Sequence, residues 1–262
     1  MRIFQVDSFT TELFKGNPAA VCMFVGDEPD TWMQNIAAEM NLSETAFLKK
    51  MKGGYELRWF TPATEVDLCG HATLAAAHIL WETGELDAAV EARFYTKSGL
   101  LKAVKNGNWI QLDFPVEEDE EAEPPQELLD GLGVPFLYVG KNRIDYLVEV
   151  ESEQVLRMLR PAKEKLSKLA NRGVIVTCRS EDGRYDFMSR FFAPALGIDE
   201  DPVTGSAHCC LGPYWKRKLG QDQFTAYQAS ARGGMLRLKV TDRVYISGQA
   251  TTVFSGEIRS QG

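Results

Sequence analysis

Two stretches decide the fold. Phe60-Thr61-Pro62-Ala63 runs on to Cys69-Gly70-His71-Ala72-Thr73, and Phe192-Ala193-Pro194-Ala195 runs on to Thr204-Gly205-Ser206-Ala207. Each is a strand end, a short loop and a glycine immediately ahead of an apolar helical run. Phe192 follows Phe60 by 132 residues and Gly205 follows Gly70 by 135, close to half of the 262-residue chain. A three-residue insertion in the second loop accounts for the difference. Self-similarity at half-length reads as an internal duplication, and the expected class is α+β: two pseudo-symmetric domains, each a sheet packed on a mostly apolar helix. The expected domains are residues 1–116 and 117–262, with the last strand free to cross back to the first.

Outward from these motifs the order of elements repeats. In the first half, strands are expected over 2–9 and 20–25. A helix capped by Asp30 then runs to Met40, with Trp32, Ile36 and Met40 on its buried face. A hairpin of strands 44–49 and 55–60 turns at Lys52-Gly53-Gly54. A helix from Gly70 to Thr83 ends at Gly84, and strands follow over 93–97 and 100–114, the last broken at Asn106-Gly107-Asn108. In the second half, strands over 137–139 and 146–150 precede a helical stretch, 154–169, interrupted at Pro161. Strands over 174–178 and 185–192 and a helix over 205–219 complete it. Between the halves lies Val116 to Pro125, VEEDEEAEPP, with six carboxylates and two prolines. Such a run cannot build a core and reads as a solvated linker.

Composition limits the function classes. Twenty-nine Lys and Arg against 37 Asp and Glu give a net charge of −8, so the chain has no general pull toward nucleic acid or anionic membrane. The uncharged stretch 68–81 falls short of the roughly 18 to 20 apolar residues of a membrane helix. Gln5, Asp7 and Ser8 interrupt any signal-peptide core. Five scattered cysteines without a CxxC fit a reduced, cytoplasmic protein. No Walker loop, GxGxxG or GxSxG occurs, which removes the usual support for nucleotide or serine-hydrolase chemistry.

The chemistry falls on the two loops. A helix start offers free backbone N–H groups and the positive end of the helix dipole, which bind an anion without net positive charge. Gly70 with His71, and Gly205 with Ser206, are therefore the candidate carboxylate-binding residues. His71, Asp201 and Glu44 are the titratable groups on or beside these loops. Proton-transfer catalysis needs a base whose pKa is shifted, which burial provides for a carboxylate. Each also has a plain structural alternative: Glu44 as an exposed strand residue, Asp201 as a loop cap, His71 as a satisfied helix histidine. His78, seven residues on from His71, shares its helix face, but no third ligand sits at a recognisable spacing and no metal is expected. Cys209 and Cys210 read as buried helix residues.

Together, Phe14-Lys15-Gly16-Asn17-Pro18-Ala19-Ala20-Val21, Ser43-Glu44-Thr45-Ala46-Phe47, Cys69-Gly70-His71-Ala72-Thr73 and Asp201-Pro202-Val203-Thr204-Gly205-Ser206-Ala207 resemble the phenazine-biosynthesis PhzF-like family, in the right order over nearly the whole chain. The resemblance implies a diaminopimelate-epimerase-like fold. Each domain is then a curved, mostly antiparallel sheet around a central helix, with the active site between the domains. It also implies a homodimer that needs no cofactor and acts on a small carboxylate. The namesake isomerises trans-2,3-dihydro-3-hydroxyanthranilate by moving a proton between carbons and shifting a double bond. Carried over by motif, Glu44 lifts and returns the proton, with its pKa raised by desolvation, while His71 and Asp201 assist. Amides at Gly70, His71, Gly205 and Ser206 take the carboxylate.

The wider superfamily's epimerases use one cysteine ahead of each glycine. Here Cys69 precedes Gly70, but alignment of the second loop puts Pro202 at the partner position, which speaks against two-thiol racemisation. Two other readings stay open: an amino-acid epimerase or racemase, and a non-catalytic binder of small carboxylates.

Overall fold

A computed structural model describes residues 1–259. The chain divides into two compact units, Met1–Asp113 joined by the stretch from Ser247 onward, and Phe114–Ile246. The division thus falls at 113/114 where the sequence suggests 116/117, and the last strand belongs with the first unit.

The first unit is organised around a helix with almost no polar face. GHATLAAAHILWE has good helix formers and apolar side chains all round, and such a helix is stable only when surrounded. In the unit's order, β1 (Arg2–Ser8), β2 (Asn17–Phe24), α1 (Asp30–Met40), β3 (Glu44–Met51), β4 (Gly54–Phe60) and β5 (Glu65–Val66) lead into this helix, α2 (Gly70–Glu82). Ten of its side chains, from His71 to Trp81, are buried, against β1, β2 and β3. It stops before Gly84, which takes φ +71 as expected. Then come β6 (Ala92–Thr96), β7 (Gly99–Asn106) and β8 (Trp109–Pro115), the turn between the last two made by Gly107 at φ +61. Pairing is antiparallel for β1–β2, β3–β4, β4–β5, β6–β7 and β7–β8, and parallel for β2–β3 and β4–β6.

Asp30 is the first helical residue of α1, with Pro29 at the cap, and its carboxylate pairs with Arg58 at 2.7 Å instead of capping. The buried face of α1 centres on Met33 and Ala37, with Trp32, Ile36 and Met40 half-buried beside it, because β3 and β4 meet the helix one residue further round.

The second unit contains β9 (Glu120–Glu121), α3 (Gln126–Leu132), β10 (Tyr138–Lys141), β11 (Asp145–Glu149), α4 (Glu153–Met158), α5 (Lys163–Leu166), β12 (Gly173–Arg179) and β13 (Phe187–Ala193). These are followed by β14 (Ile198–Asp201), α6 (Gly205–Leu219), β15 (Gln223–Gln228), β16 (Gly234–Val240) and β17 (Arg243–Gly248). The final strand, β18 (Ala250–Glu257), pairs antiparallel with β1. In this unit β10–β11 is antiparallel, β11–β12 parallel, β12–β13 and β13–β14 antiparallel, β13–β15 parallel and β15–β16 antiparallel. That is the first unit's order of pairings from β1 to β7, strand for strand, with α4 and α5 in place of α1 and α6 in place of α2. The duplication is therefore one of topology as well as of motif.

The acidic stretch 116–125 is not merely a solvated connection. Glu120 and Glu121 pair with Lys141 and Gly140. Asp119 is buried, accepts from Tyr138 Oη at 2.7 Å, and pairs with Arg217, while Glu118 meets Arg217 at 2.6 Å and Glu117 meets Arg143 at 2.9 Å. Partners distant in sequence neutralise charges that read as unpairable locally. α3 is also absent from the sequence reading. Its seven residues, QELLDGL, hold Leu128 and Leu132 in the core but are too few to show periodicity.

Candidate active site

α1, α3, α4 and α5 each carry an acidic residue in the first turn: Asp30, Glu127, Glu153 and Glu164. α2 and α6 carry none, and neither Cys69 nor Thr204 caps its helix with a side chain. The first N–H groups of both helices thus lack the carboxylate and the cap that usually answer them.

Beside the start of α2 lies the candidate acid/base group. Glu44 is the first residue of β3, opposite Ala19 of β2, with its side chain 14% exposed. His71 is the second residue of α2 and is buried. Its carbonyl accepts from Ser8 Oγ at 2.8 Å, which ties the helix start to the end of β1. The imidazole lies between two partners: Nε2 is 3.2 Å from Glu44 Oε2, and Nδ1 is 3.5 Å from Cys69 Sγ. Burial lowers the His71 pKa to about 3, so at neutral pH the ring is neutral and carries one N–H. A neutral imidazole between a thiol and a carboxyl group can present its N–H to either side, which suits passage of a proton.

The neutral state has a consequence for stability. His208, buried on α6 with Nδ1 donating to Thr204 O at 2.8 Å, is likewise lowered by burial, to about 4. In the unfolded chain both titrate near 6.5. Their stabilising neutrality is complete above that value and is lost as the pH falls toward 4 and 3, because the unfolded chain takes up protons first. Lowering the pH from 7 to 5 should cost about 2 kcal/mol for each histidine. Urea midpoints at the two pH values, with His208→Gln alongside, measure this. A pH dependence in the variant equal to the parent's would contradict it.

Glu44, Cys69 and His71 also each offer a metal-ligand atom, all within 4.8 Å of one another. The donor set suits zinc, but a single ion takes one imidazole nitrogen, at roughly 2 Å, together with its other ligands. Here thiol and carboxylate flank opposite nitrogens of the ring, so the arrangement fits proton passage better than a metal. His78 does not join the group: its Nε2 is 3.0 Å from Thr252 Oγ1 and 3.6 Å from Glu82.

Asp201, Gly205 and Ser206 belong to the second unit. Asp201 ends β14, opposite Phe191, and its carboxylate accepts from Thr204 Oγ1 at 2.5 Å. Gln228, wholly buried at the end of β15, braces this loop. Its Oε1 accepts from Thr204 N at 2.9 Å and its Nε2 donates to Asp201 O at 2.8 Å. At the helix start, Arg172 donates from Nη2 to Ser206 Oγ at 3.0 Å. It also holds Asp145 two-fold, Nε to Oδ1 at 3.0 Å and Nη2 to Oδ2 at 2.5 Å.

Arg172, Asp145 and Gln228 carry no signal in the sequence that marks them as functional. An Arg-Gly ahead of an apolar strand carries no local signal, and the partners are brought together only by the sheet. One sequence alignment is corrected too. Thr204, not Pro202, occupies the cap position of α6 that Cys69 occupies in α2. The second repeat still has no thiol there.

Strand register extends the comparison of the repeats. Thr45 pairs with Phe60 and Val174 with Phe192, so Glu44 corresponds to Gly173, and His71 to Ser206. By the same register Arg172 corresponds to Ser43, one residue ahead of Glu44, so the Glu44–His71 and Arg172–Ser206 contacts lie at neighbouring rather than equivalent positions of the two repeats.

A family model described as phenazine biosynthesis-like protein, PhzC-PhzF, matches residues 6–256. The chain belongs to this family. It is 58% identical over 258 residues to an "uncharacterized isomerase" of Halalkalibacterium halodurans, covering 98% of this chain and 97% of that protein. A crystal structure of a PhzF-family phenazine biosynthesis protein from Enterococcus faecalis superposes with a TM-score of 0.95 at 41% identity, over 99% of both chains. A probable proline racemase from Agrobacterium radiobacter shares the fold at 11% identity, with a TM-score of 0.67 over 98% of this chain and 92% of that one. The PhzF fold, two α+β repeats related by duplication, is that of the present chain.

Proposed function

We propose that this PhzF-family chain is an isomerase that moves a proton between carbon atoms of a small carboxylate and shifts a double bond, as in dihydrohydroxyanthranilate isomerisation. The observation that carries the reading is the 3.2 Å approach of Glu44 to a buried, neutral His71 at the uncapped start of α2. The relatives named as isomerases support the reaction class.

The step balances with side chains alone. Glu44, as carboxylate, takes a proton from a carbon made acidic by the substrate's unsaturation; the C–H electron pair forms the new double bond and the old one shifts. Glu44, whose proton exchanges with solvent while it is held as the carboxylic acid, then protonates the far carbon. His71 meets the change in charge on Glu44 by turning its single N–H toward the carboxylate or away from it. Asp201, held by Thr204, takes a polar substituent. The substrate carboxylate is assigned to the amides of Gly205 and Ser206 at the start of α6, where fixed donors act without reorganisation.

A second reading, an amino-acid epimerase, is favoured by one contact, Cys69 Sγ beside His71 Nδ1. Burial raises the thiols of Cys22, Cys178 and Cys209 to about 12, so these resist alkylation in the native state. Treating the native protein with iodoacetamide separates the readings. Proton transfer by Glu44 predicts activity that survives in Cys69→Ser and is lost in Glu44→Gln. The reverse pattern, with rapid inactivation at Cys69, assigns the protein to the epimerases.

A further inference from the structure

We propose that Arg172 is a positioning residue for the substrate's carboxylate, acting through Ser206. The inference rests on the carboxylate-binding role given to the start of α6 under the proposed function, and it adds a residue that carries specificity there.

A guanidinium has only donors. Because Nη2 donates to Ser206 Oγ, a lone pair of that oxygen is committed and the hydroxyl hydrogen must be directed elsewhere. Ser206 lies in the first turn of an uncapped helix, so a hydrogen turned away from Arg172 joins the donors that the helix start presents to an anion. Left to itself, a serine hydroxyl rotates and can offer a lone pair, which repels a carboxylate. Arg172 removes that option.

The guanidinium can impose this direction because it is itself fixed. Nε and Nη2 grip both oxygens of Asp145, whose side chain is wholly buried. The ring of Phe191 lies 5.1 Å from Cζ, and the Arg172 backbone N–H donates to Ile144 O at 2.7 Å. Asp145 cancels most of the arginine's charge, so the effect on an anion is one of orientation rather than of added positive potential. In the first repeat the Glu44–His71 pair lies one register position away, beside the start of α2, so the duplicated framework has one half suited to proton transfer and one to holding the anion.

The test is a double-mutant cycle on binding, with anthranilate as the probe and aniline as the control that lacks the carboxylate. Ser206→Ala is expected to weaken anthranilate about tenfold or more, the range for a hydrogen bond to a charged group, and to leave aniline unchanged. Arg172→Lys keeps a cation beside Asp145 but loses the planar fork, and is expected to show a similar loss. Combined with Ser206→Ala it should add nothing further. In turnover the same change should raise KM and leave kcat within about twofold. If Arg172→Lys weakens anthranilate equally in the Ser206→Ala background, Arg172 acts on the ligand or the fold by another route and the proposal is overturned. Should the lysine variant fold poorly, Asp145→Asn with Arg172→Gln replaces the ion pair by an amide pair and enters the same cycle. Proton exchange lost or kept in Glu44→Gln bears on the catalytic reading alone, so the two can fail separately.

Discussion

Glu44→Gln should lower kcat by about a hundredfold to ten-thousandfold, the contribution of a well-placed general base, and leave KM for a small carboxylate within a few-fold. Gln keeps the shape and the polar reach but cannot take a proton. The substitution at the start of β3 leaves the pairing of Ala19 with residue 44 and of Thr45 with Phe60 untouched. His71→Asn should cost less, about tenfold to a hundredfold, since His71 supports Glu44 rather than abstracting the proton. Stopped-flow or steady-state turnover of dihydrohydroxyanthranilate measures both. Equal losses would make the pair one inseparable acid/base unit, and an unaffected Glu44→Gln would remove Glu44 from the mechanism.

The second large effect is on stability. Gly16 has φ +64, and a Cβ there would overlap the backbone carbonyl oxygen of Ser8 and approach Thr10 Cγ2 to 2.8 Å. An alanine meets both a left-handed backbone, costing about 1–2 kcal/mol, and an overpacked contact, costing about 1–3 kcal/mol. Gly16→Ala should therefore lose about 3 kcal/mol and lower Tm by roughly 6–12 °C. Activity should fall as well, because Ser8 is the residue whose hydroxyl holds the His71 carbonyl. Phe14, at φ +67 with its N–H donating to the buried Asp7 at 2.7 Å, belongs to the same turn. The compact Phe14-Lys15-Gly16-Asn17 motif is thus explained by the geometry that supports the α2 start. Thermal melting with turnover on the same samples checks it; a Gly16→Ala variant as stable as the parent contradicts the clash.

Much of this is legible in the amino-acid sequence alone. α6 starts at Gly205 and ends at Leu219 as read, and Gly84 and Gly107 take the positive φ that their contexts demand. These are features of local chemistry: periodicity, helix-ending glycines and turn residues. The duplication too was visible, because both repeats kept the Phe-x-Pro-Ala and Gly-x-Ala steps. What stayed hidden depends on partners far apart in sequence. Asp119 reads as one more charge in an acidic run, and only the fold brings it Tyr138 and Arg217. Arg172 and Ser206, 34 residues apart, come within hydrogen-bond distance only in the folded chain. Cys69 stands out in the sequence only as the residue ahead of Gly70, and the structure adds that its thiol lies 3.5 Å from the imidazole of His71.

Proton NMR in D₂O puts the central claim to its most direct test. Dihydrohydroxyanthranilate and a panel of small cyclic and amino carboxylates are incubated with the parent protein, Glu44→Gln and Cys69→Ser. Proton transfer by Glu44 predicts deuterium entering one substrate carbon with the parent and with Cys69→Ser, and none with Glu44→Gln. Deuterium entering with Glu44→Gln but not with Cys69→Ser would contradict it.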